Sequence, residues 1–266
     1  VYEALIGSFP DWAGAWGALG DLRSQMRHTQ EAVAAYRRMA DLAPESGPYA
    51  RFKAATLLRE MGDPAGAAAE LAAVDLSSLP ASRRAEVMEL LALSYRGAGD
   101  YEQALATYDG ILSYSQFADY RALLNQYRGV TLVEAGRVEE ARPILRAVVR
   151  ERPQAYGAYL ALERLIELGD LDLSPNEQAA TLYYAKAYLR AIEAADRAIE
   201  QGQETAQALL WKGWSLAALG RYDEAVAAYD EIITVYGSNP LAGDAWMGKA
   251  AAAASLPGRC DGPSSG

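Results

Sequence analysis

The feature that most constrains this chain is a pair of amphipathic patterns in the stretch 206–240, separated by a short break. On both sides of the break, apolar residues recur three and four positions apart, which is the spacing of one face of an α-helix. Gly213 and Ala225 leave little bulk where the helices would cross, so the two axes can approach closely. Tyr229 is expected to fill the space beside them, and Pro240 ends the second helix. The stretch therefore predicts a hairpin of two closely packed helices.

The same pattern recurs along nearly the whole chain, with further clear copies beginning near Trp16, Leu91 and Arg128. A period of about 34 residues, with the pattern W-x2-L-G, then A-x3-F/Y, then P, is the signature of tetratricopeptide repeats. The chain resembles this family over almost all of its length. The resemblance implies an all-α, right-handed superhelical solenoid of stacked antiparallel helix pairs. It also implies a non-catalytic role in protein–protein interaction or assembly.

The repeat pattern predicts about six repeats with a half-repeat at each end. An extra helix interrupts the rhythm after the fourth repeat, and such an interruption is either a tolerated insertion or a binding site. The predicted segments are the second helix of an incomplete repeat (1–10), four repeats (13–155), the extra helix and a loop (156–175), two repeats (176–240), the first helix of an incomplete repeat (241–255) and a disordered tail (256–266).

Composition excludes several classes of function. The net charge is −10 and the isoelectric point is near 4.8, and the arginines alternate with acidic residues at helical spacing. The sequence therefore has no basic face for nucleic acid. It contains no run of 18 apolar residues, so no membrane span is predicted. Hydrophobic residues make up 51% of the chain, which favours a folded protein over a disordered one.

The sequence offers no arrangement of residues for catalysis. Its one histidine, His28, falls in a predicted turn between helices, and its one cysteine, Cys260, lies in the Gly/Ser/Pro-rich tail. Neither a Cys/His nucleophile pair nor a zinc site can be built from them. Cys260 is expected to be an exposed thiol or an intermolecular attachment point. We therefore predict no enzymatic activity, no metal and no cofactor.

The concave surface of the family implies a place for a partner. Members that grip a C-terminal carboxylate use Lys and Asn on the first helices, whereas this sequence has no Lys and only one Asn at those positions. Its lining is mixed, with aromatic and apolar groups. Such a lining suits an amphipathic helix or an extended peptide. The alternative is that the rings pack only against neighbouring turns of the same solenoid. The candidate groove residues are Tyr49, Phe52, Tyr183, Tyr184 and Trp214.

The predicted half-repeats suggest a different partner, a second copy of the chain. The last helix of one molecule would pair with the first helix of the next, and this heterologous contact grows a fibre unless it closes into a ring. The alternative is that the sequence is a segment of a longer repeat protein. The candidate self-assembly residues are Tyr2, Leu5, Ile6 and Phe9 at one end and Trp246, Met247 and Ala250 at the other.

A second resemblance concerns the last third of the chain. The stretch YYAKAY at 183–188 and the strong repeat that follows resemble the helical superhelix preceding the catalytic domain of bacterial soluble lytic transglycosylases. This resemblance implies an accessory fragment of a cell-wall enzyme. Arginine outnumbers lysine 21 to 4, which together with the alanine content favours a high-GC bacterium. If Val1 is a processed N-terminus, we expect a secreted or cell-envelope location.

Overall fold

The computed structural model describes residues 2–170 and 172–256, and these residues contain α-helices, two short 3-10 turns and no β-strand. They fall into two compact units. Unit 1 comprises the residues up to Gln116 together with Thr131–Val138, and unit 2 comprises Phe117–Val130 together with the residues from Glu139 onward. The helices are α1 (Tyr2–Ser8), α2 (Ala13–Gln25), α3 (Thr29–Leu42), α4 (Gly47–Glu60), α5 (Pro64–Ala72), α6 (Ala81–Gly97), α7 (Tyr101–Tyr114), α8 (Ala118–Glu134), α9 (Val138–Glu151), α10 (Tyr156–Glu167), α11 (Pro175–Tyr184), α12 (Tyr188–Glu200), α13 (Thr205–Ala218), α14 (Tyr222–Val235) and α15 (Ala242–Ala254).

In unit 1 each helix from α2 to α6 packs on the helix before it and the helix after it. The core is built mainly from alanines, with single large side chains between them such as Tyr36 and Leu71, which are both almost fully buried. Small residues on one helix face a large residue on the next, so neighbouring axes stay close together. One buried carboxylate joins three of these helices: Arg37 on α3 and Arg51 on α4 donate to Glu70 on α5 at 2.6 and 3.0 Å.

In unit 2 the helices from α11 to α15 also pack in chain order, and α11 and α15 both contact α13 directly. The first helices of successive pairs therefore lie side by side. The close approach predicted at Gly213 is confirmed, because a Cβ there would lie 2.5 Å from the ring of the buried Tyr229. At Gly157 a Cβ would lie 2.9 Å from the Cα of Leu123. Helix α10 therefore lies directly against the backbone of α8.

In the segment 156–175, where an extra helix and a loop are predicted, the structure has α10, from Tyr156 to Glu167. The loop that follows lies along α9, which presents three arginines one turn apart. Arg142 and Arg146 bind Asp170, and Arg150 donates to the backbone oxygen of Asp172 at 2.9 Å. The division into whole repeats, half-repeats and an extra helix stays a prediction. The predicted disordered tail after Leu256, including Cys260, lies outside the described residues.

Candidate functional site

Five aromatic side chains of unit 2 come together at the ends of α11 and α12 and along α13. We call Tyr183, Tyr184, Tyr188, Trp211 and Trp214 the aromatic cluster. The Trp211 and Trp214 rings meet edge to face, with centroids 5.0 Å apart, and the Tyr183 ring lies 5.6 Å from each of them. Tyr184 contacts Trp211 at 5.8 Å. Edge-to-face and tilted contacts of this kind are favourable for aromatic pairs, so each ring restricts the orientations open to its neighbours.

The cluster forms because α11 and α13 pack side by side. Trp211 and Trp214 are three residues apart, so both point from the same face of α13. The structure thus brings together three of the predicted groove residues, Tyr183, Tyr184 and Trp214. Sequence reasoning missed Trp211 and Tyr188, although the W-x-x-W spacing on one helix was a signal for the first of them.

Burial differs among the rings, and this decides which of them a partner can touch. Tyr183 and Trp214 are half-buried, whereas Tyr184 is 46% exposed. Burial raises the pKa of the Tyr183 hydroxyl, and the neighbouring hydroxyls of Tyr188 and Tyr184 raise it further. Tyr183 therefore stays neutral and offers a hydrogen-bond donor rather than a charge.

A cavity of about 310 Å³ adjoins the cluster and shares Tyr184 with it. This volume lies at the lower end of the range for small ligand pockets. Helix α10 supplies two more tyrosines to its wall, and the turn between α11 and α12 supplies a lysine. The lining residues are Pro153, Gln154, Ala155, Tyr156, Tyr159, Thr181, Tyr184, Ala185 and Lys186.

The other two predicted groove residues, Tyr49 and Phe52, lie together in unit 1. They line a cavity of about 270 Å³ with apolar walls, whose charged residues are Arg83 and Glu86. These two pair with each other at 2.7 Å. Lys53 lies 5.8 Å from the centre of the Tyr49 ring and 3.6 Å from Asp21. The charges beside this cavity are thus already paired within the chain.

The charged groups elsewhere serve the structure. Burial raises the pKa of Asp170, but hydrogen bonds from Arg146 and Arg142 outweigh that effect and leave the pKa at about 2. A carboxylate so firmly ionised is a poor proton donor at neutral pH. His28 lies in the turn before α3, where its Nδ1 is 3.2 Å from Arg23. In the part of the chain that the structure describes, His, Cys, Asp and Glu side chains form no group that could hold a metal ion.

The predicted self-assembly residues lie on two helices. Phe9, just after α1, is 60% exposed, Tyr2 is also exposed, and Leu5 and Ile6 are partly covered. On α15, Ala245 and Ala252 are buried against the preceding helices, whereas Trp246, Met247 and Ala250 face solvent. Among the described residues, no helix combines the length and the apolar character that a membrane crossing needs.

Stacked helix pairs that carry exposed aromatic surfaces define a helical-repeat interaction module. Family models described as tetratricopeptide repeats match residues 15–48, 52–120 and 176–240, and the chain belongs to this family. The predicted all-α solenoid fold is confirmed by these matches and by the packing of the helices. The fold is that of a protein-interaction scaffold or adaptor. No curated protein sequence matches the chain.

The solved structures that are similar to this chain are distant from it in sequence. A complex of Naa15 and Naa10 bound to HypK is 19% identical, with a TM-score of 0.50, and the match covers 91% of this chain and 34% of that one. A tetratricopeptide repeat protein from Parabacteroides merdae is 15% identical, with a TM-score of 0.47, and the match covers 94% of this chain and 90% of that one. PilF from Pseudomonas aeruginosa is 18% identical, with a TM-score of 0.40, and the match covers 88% of this chain and 96% of that one. The resemblance to lytic transglycosylases gains no support from these matches.

Proposed function

We propose that the chain is a scaffold that binds a segment of another protein through the aromatic cluster of unit 2. The observation that carries this proposal is the mutual contact of five aromatic rings from three helices. The exposed Tyr184 belongs to this cluster and also lines the adjacent cavity. Tyrosine and tryptophan dominate the binding energy of many protein interfaces because they bury a large area.

The fixed geometry of the cluster favours binding. A ring that is already oriented by its neighbours loses little conformational entropy when a partner covers it, so more of the contact energy appears as affinity. The half-buried rings form the base, and Tyr184 provides exposed apolar surface above them. An extended peptide or one face of an amphipathic helix has a suitable shape to cover the exposed surface of the aromatic cluster.

The test is selection of displayed peptides on the purified full chain, followed by affinity measurement with single variants. We expect the selected peptides to be rich in large apolar residues. Tyr184→Ser should weaken their binding about tenfold or more, the loss typical of an interface hot spot. Phe117→Ser removes a ring that is 78% exposed and lies outside the cluster, and it should leave the affinity unchanged. Equal losses in the two variants, or none in Tyr184→Ser, would refute this site.

Head-to-tail self-association is a second candidate function. Its specific support is the outer face of α15, where Trp246 and Met247 are 57% and 67% exposed. Two neighbouring large apolar groups on the solvent side of a helix are typical of a protein contact surface. The Lys249 ammonium lies 5.5 Å from the centre of the Trp246 ring and forms an ion pair with Asp230, so Trp246 is held in place.

This candidate predicts a concentration-dependent increase in mass. Sedimentation equilibrium and negative-stain microscopy over a concentration series should show growing head-to-tail species. Met247→Glu on α15, or Phe9→Glu at the other end, should each return the chain to a monomer. Exposed Met61→Glu is the matched control and should leave assembly intact. A monomer at every concentration would rule out this candidate and leave the peptide-binding proposal untouched.

A further inference from the structure

Lys186 occupies a backbone position that favours glycine. It lies in the turn between α11 and α12 with a φ of 61°, in the left-handed region where a side chain is strained. Six other turns between consecutive helices of the described chain have a glycine with positive φ: Gly62 (φ 79°), Gly99 (φ 81°), Gly136 (φ 78°), Gly169 (φ 63°), Gly202 (φ 65°) and Gly220 (φ 75°). In the turn between α2 and α3, Arg27 has a φ of 60°. Lysine at a position that favours glycine is a candidate for a functional side chain only where a second observation supports it, and at Lys186 the charge left unpaired among the described residues and the adjacent cavity are such observations.

The charge of Lys186 is not used inside the described part of the chain. The other three lysines each form an ion pair with an aspartate: Lys53 with Asp21, Lys212 with Asp196 and Lys249 with Asp230. Lys186 forms none with any residue that the structure describes, and its side chain is exposed. It is therefore a cation free to pair with a group that another molecule brings.

The cavity beside Lys186 suits a large apolar side chain. Ala155 and Thr181 at its base are buried, whereas Tyr156 and Tyr184 at its edge are exposed. Tyr156, Tyr159 and Tyr184 together give the cavity a largely aromatic wall. A large apolar side chain can pack against such a wall.

We propose that this cavity receives a phenylalanine-like or leucine-like side chain of the partner segment, and that Lys186 pairs with a neighbouring Asp or Glu side chain. This inference rests on the proposed peptide-binding function and adds a charge requirement to it. Alanine and tyrosine side chains make up much of the cavity wall and the cation lies on the exposed turn, so the apolar group enters while the carboxylate stays outside on an adjacent residue. An internal acidic residue meets this requirement, because it carries its charge beside the inserted side chain.

The probe is a pair of fluorescein-labelled peptides, each amidated at its C-terminus and each with a central phenylalanine. One peptide has glutamates on both sides of the phenylalanine and the other has glutamines. In fluorescence anisotropy with the full chain, we expect the glutamate peptide to bind about fivefold more tightly, the gain of a good exposed ion pair. A third peptide keeps the glutamines and has a free C-terminal carboxylate, and it should bind like the glutamine peptide.

Lys186→Gly separates binding from stability. It removes the charge and places glycine where the backbone favours it, so Tm should rise by about 2–4 °C while the preference for glutamate falls below twofold. Arg27→Gly makes the same backbone change at a φ of 60° in unit 1. It should also raise Tm, and the fivefold preference should remain. Lys186→Arg should retain the preference as well.

The outcomes distinguish this inference from the proposed function. If Tyr184→Ser abolishes binding but Lys186→Gly keeps the full preference for glutamate, the charge requirement is wrong and the aromatic site stands. If the peptide with the free C-terminus binds as tightly as the glutamate peptide, the assignment to an internal acidic residue is wrong. If Tyr184→Ser changes nothing, both proposals fail.

Discussion

At the scale of single residues, buried carboxylates anchor the packing of each unit. Asp170 has a fully buried side chain and accepts hydrogen bonds from Arg142 at 2.8 Å and from Arg146 at 2.9 and 2.7 Å. Glu70 is held in a similar way by Arg37 and Arg51. A buried charge that has lost its partner destabilises the folded state. Removing one member of such a pair therefore lowers the free energy of unfolding by more than the intact pair contributes to it.

We predict that Asp170→Asn destabilises the protein by about 3 kcal/mol, because two arginines then face a neutral amide in a dry site. Urea unfolding followed by circular dichroism measures this change. Asp172→Asn is the matched control, since Asp172 is 65% exposed and makes one ion pair with Arg146. It should cost less than about 1 kcal/mol. Similar losses for the two variants would contradict the role given to burial.

The same carboxylate makes stability depend on pH. The pKa of Asp170 is about 2 in the folded chain, below that of an unfolded aspartate, so folding favours its ionised form. Its contribution is fully present above about pH 4 and is lost as the pH falls through 2. The difference in unfolding free energy between wild type and Asp170→Asn should shrink by about 2 kcal/mol over that interval. A constant difference between pH 6 and pH 2 would refute this assignment.

Gly213 tests how closely the helices pack. A Cβ at this position would lie 2.5 Å from the Tyr229 ring, which is almost fully buried and has no room to move. We predict that Gly213→Ala costs about 1–3 kcal/mol through overpacking, despite the better helix propensity of alanine. Gly243→Ala on α15 meets nothing within 4 Å and should be neutral or slightly stabilising. Thermal unfolding of the two variants compares these effects.

At the scale of elements, the start of α11 depends on a capping box. The Ser174 hydroxyl accepts from the Glu177 N–H at 3.1 Å, and Glu177 accepts from the Ser174 N–H at 2.7 Å. We predict that Ser174→Ala costs about 1 kcal/mol. Ser46 precedes α4 without a capping hydrogen bond from its side chain, so Ser46→Ala should change the unfolding free energy very little. Equal effects would mean that the hydrogen bond itself contributes nothing.

The repeat pattern was sufficient to predict the helices and their close contacts, but not the charged contacts of the loop before α11. The packing of Tyr229 against Gly213 follows from a local period that every copy shares. The binding of Asp170 by Arg142 and Arg146 depends on the path of a loop without any period, 24 to 28 residues away in sequence. The sequence alone shows these arginines only as part of a pattern in which basic and acidic residues alternate at helical spacing. The aromatic cluster was predicted in part, because Tyr183 and Trp214 lie on first helices, whereas Trp211 was missed.

At the scale of the whole molecule, a repeat array is stabilised by contacts between neighbours, so damage should stay local. Hydrogen exchange tests this with two matched variants. Asp170→Asn should speed amide exchange in α9–α11 more than in α3–α5, and Glu70→Gln should do the reverse, because each removes a buried carboxylate from one unit. Helix α13 should respond less to Asp170→Asn than α11 does, since it lies one repeat further from the change. If both variants instead lost protection uniformly, the helices would unfold as a single cooperative unit. A partner bound to the aromatic cluster would then stabilise every helix equally.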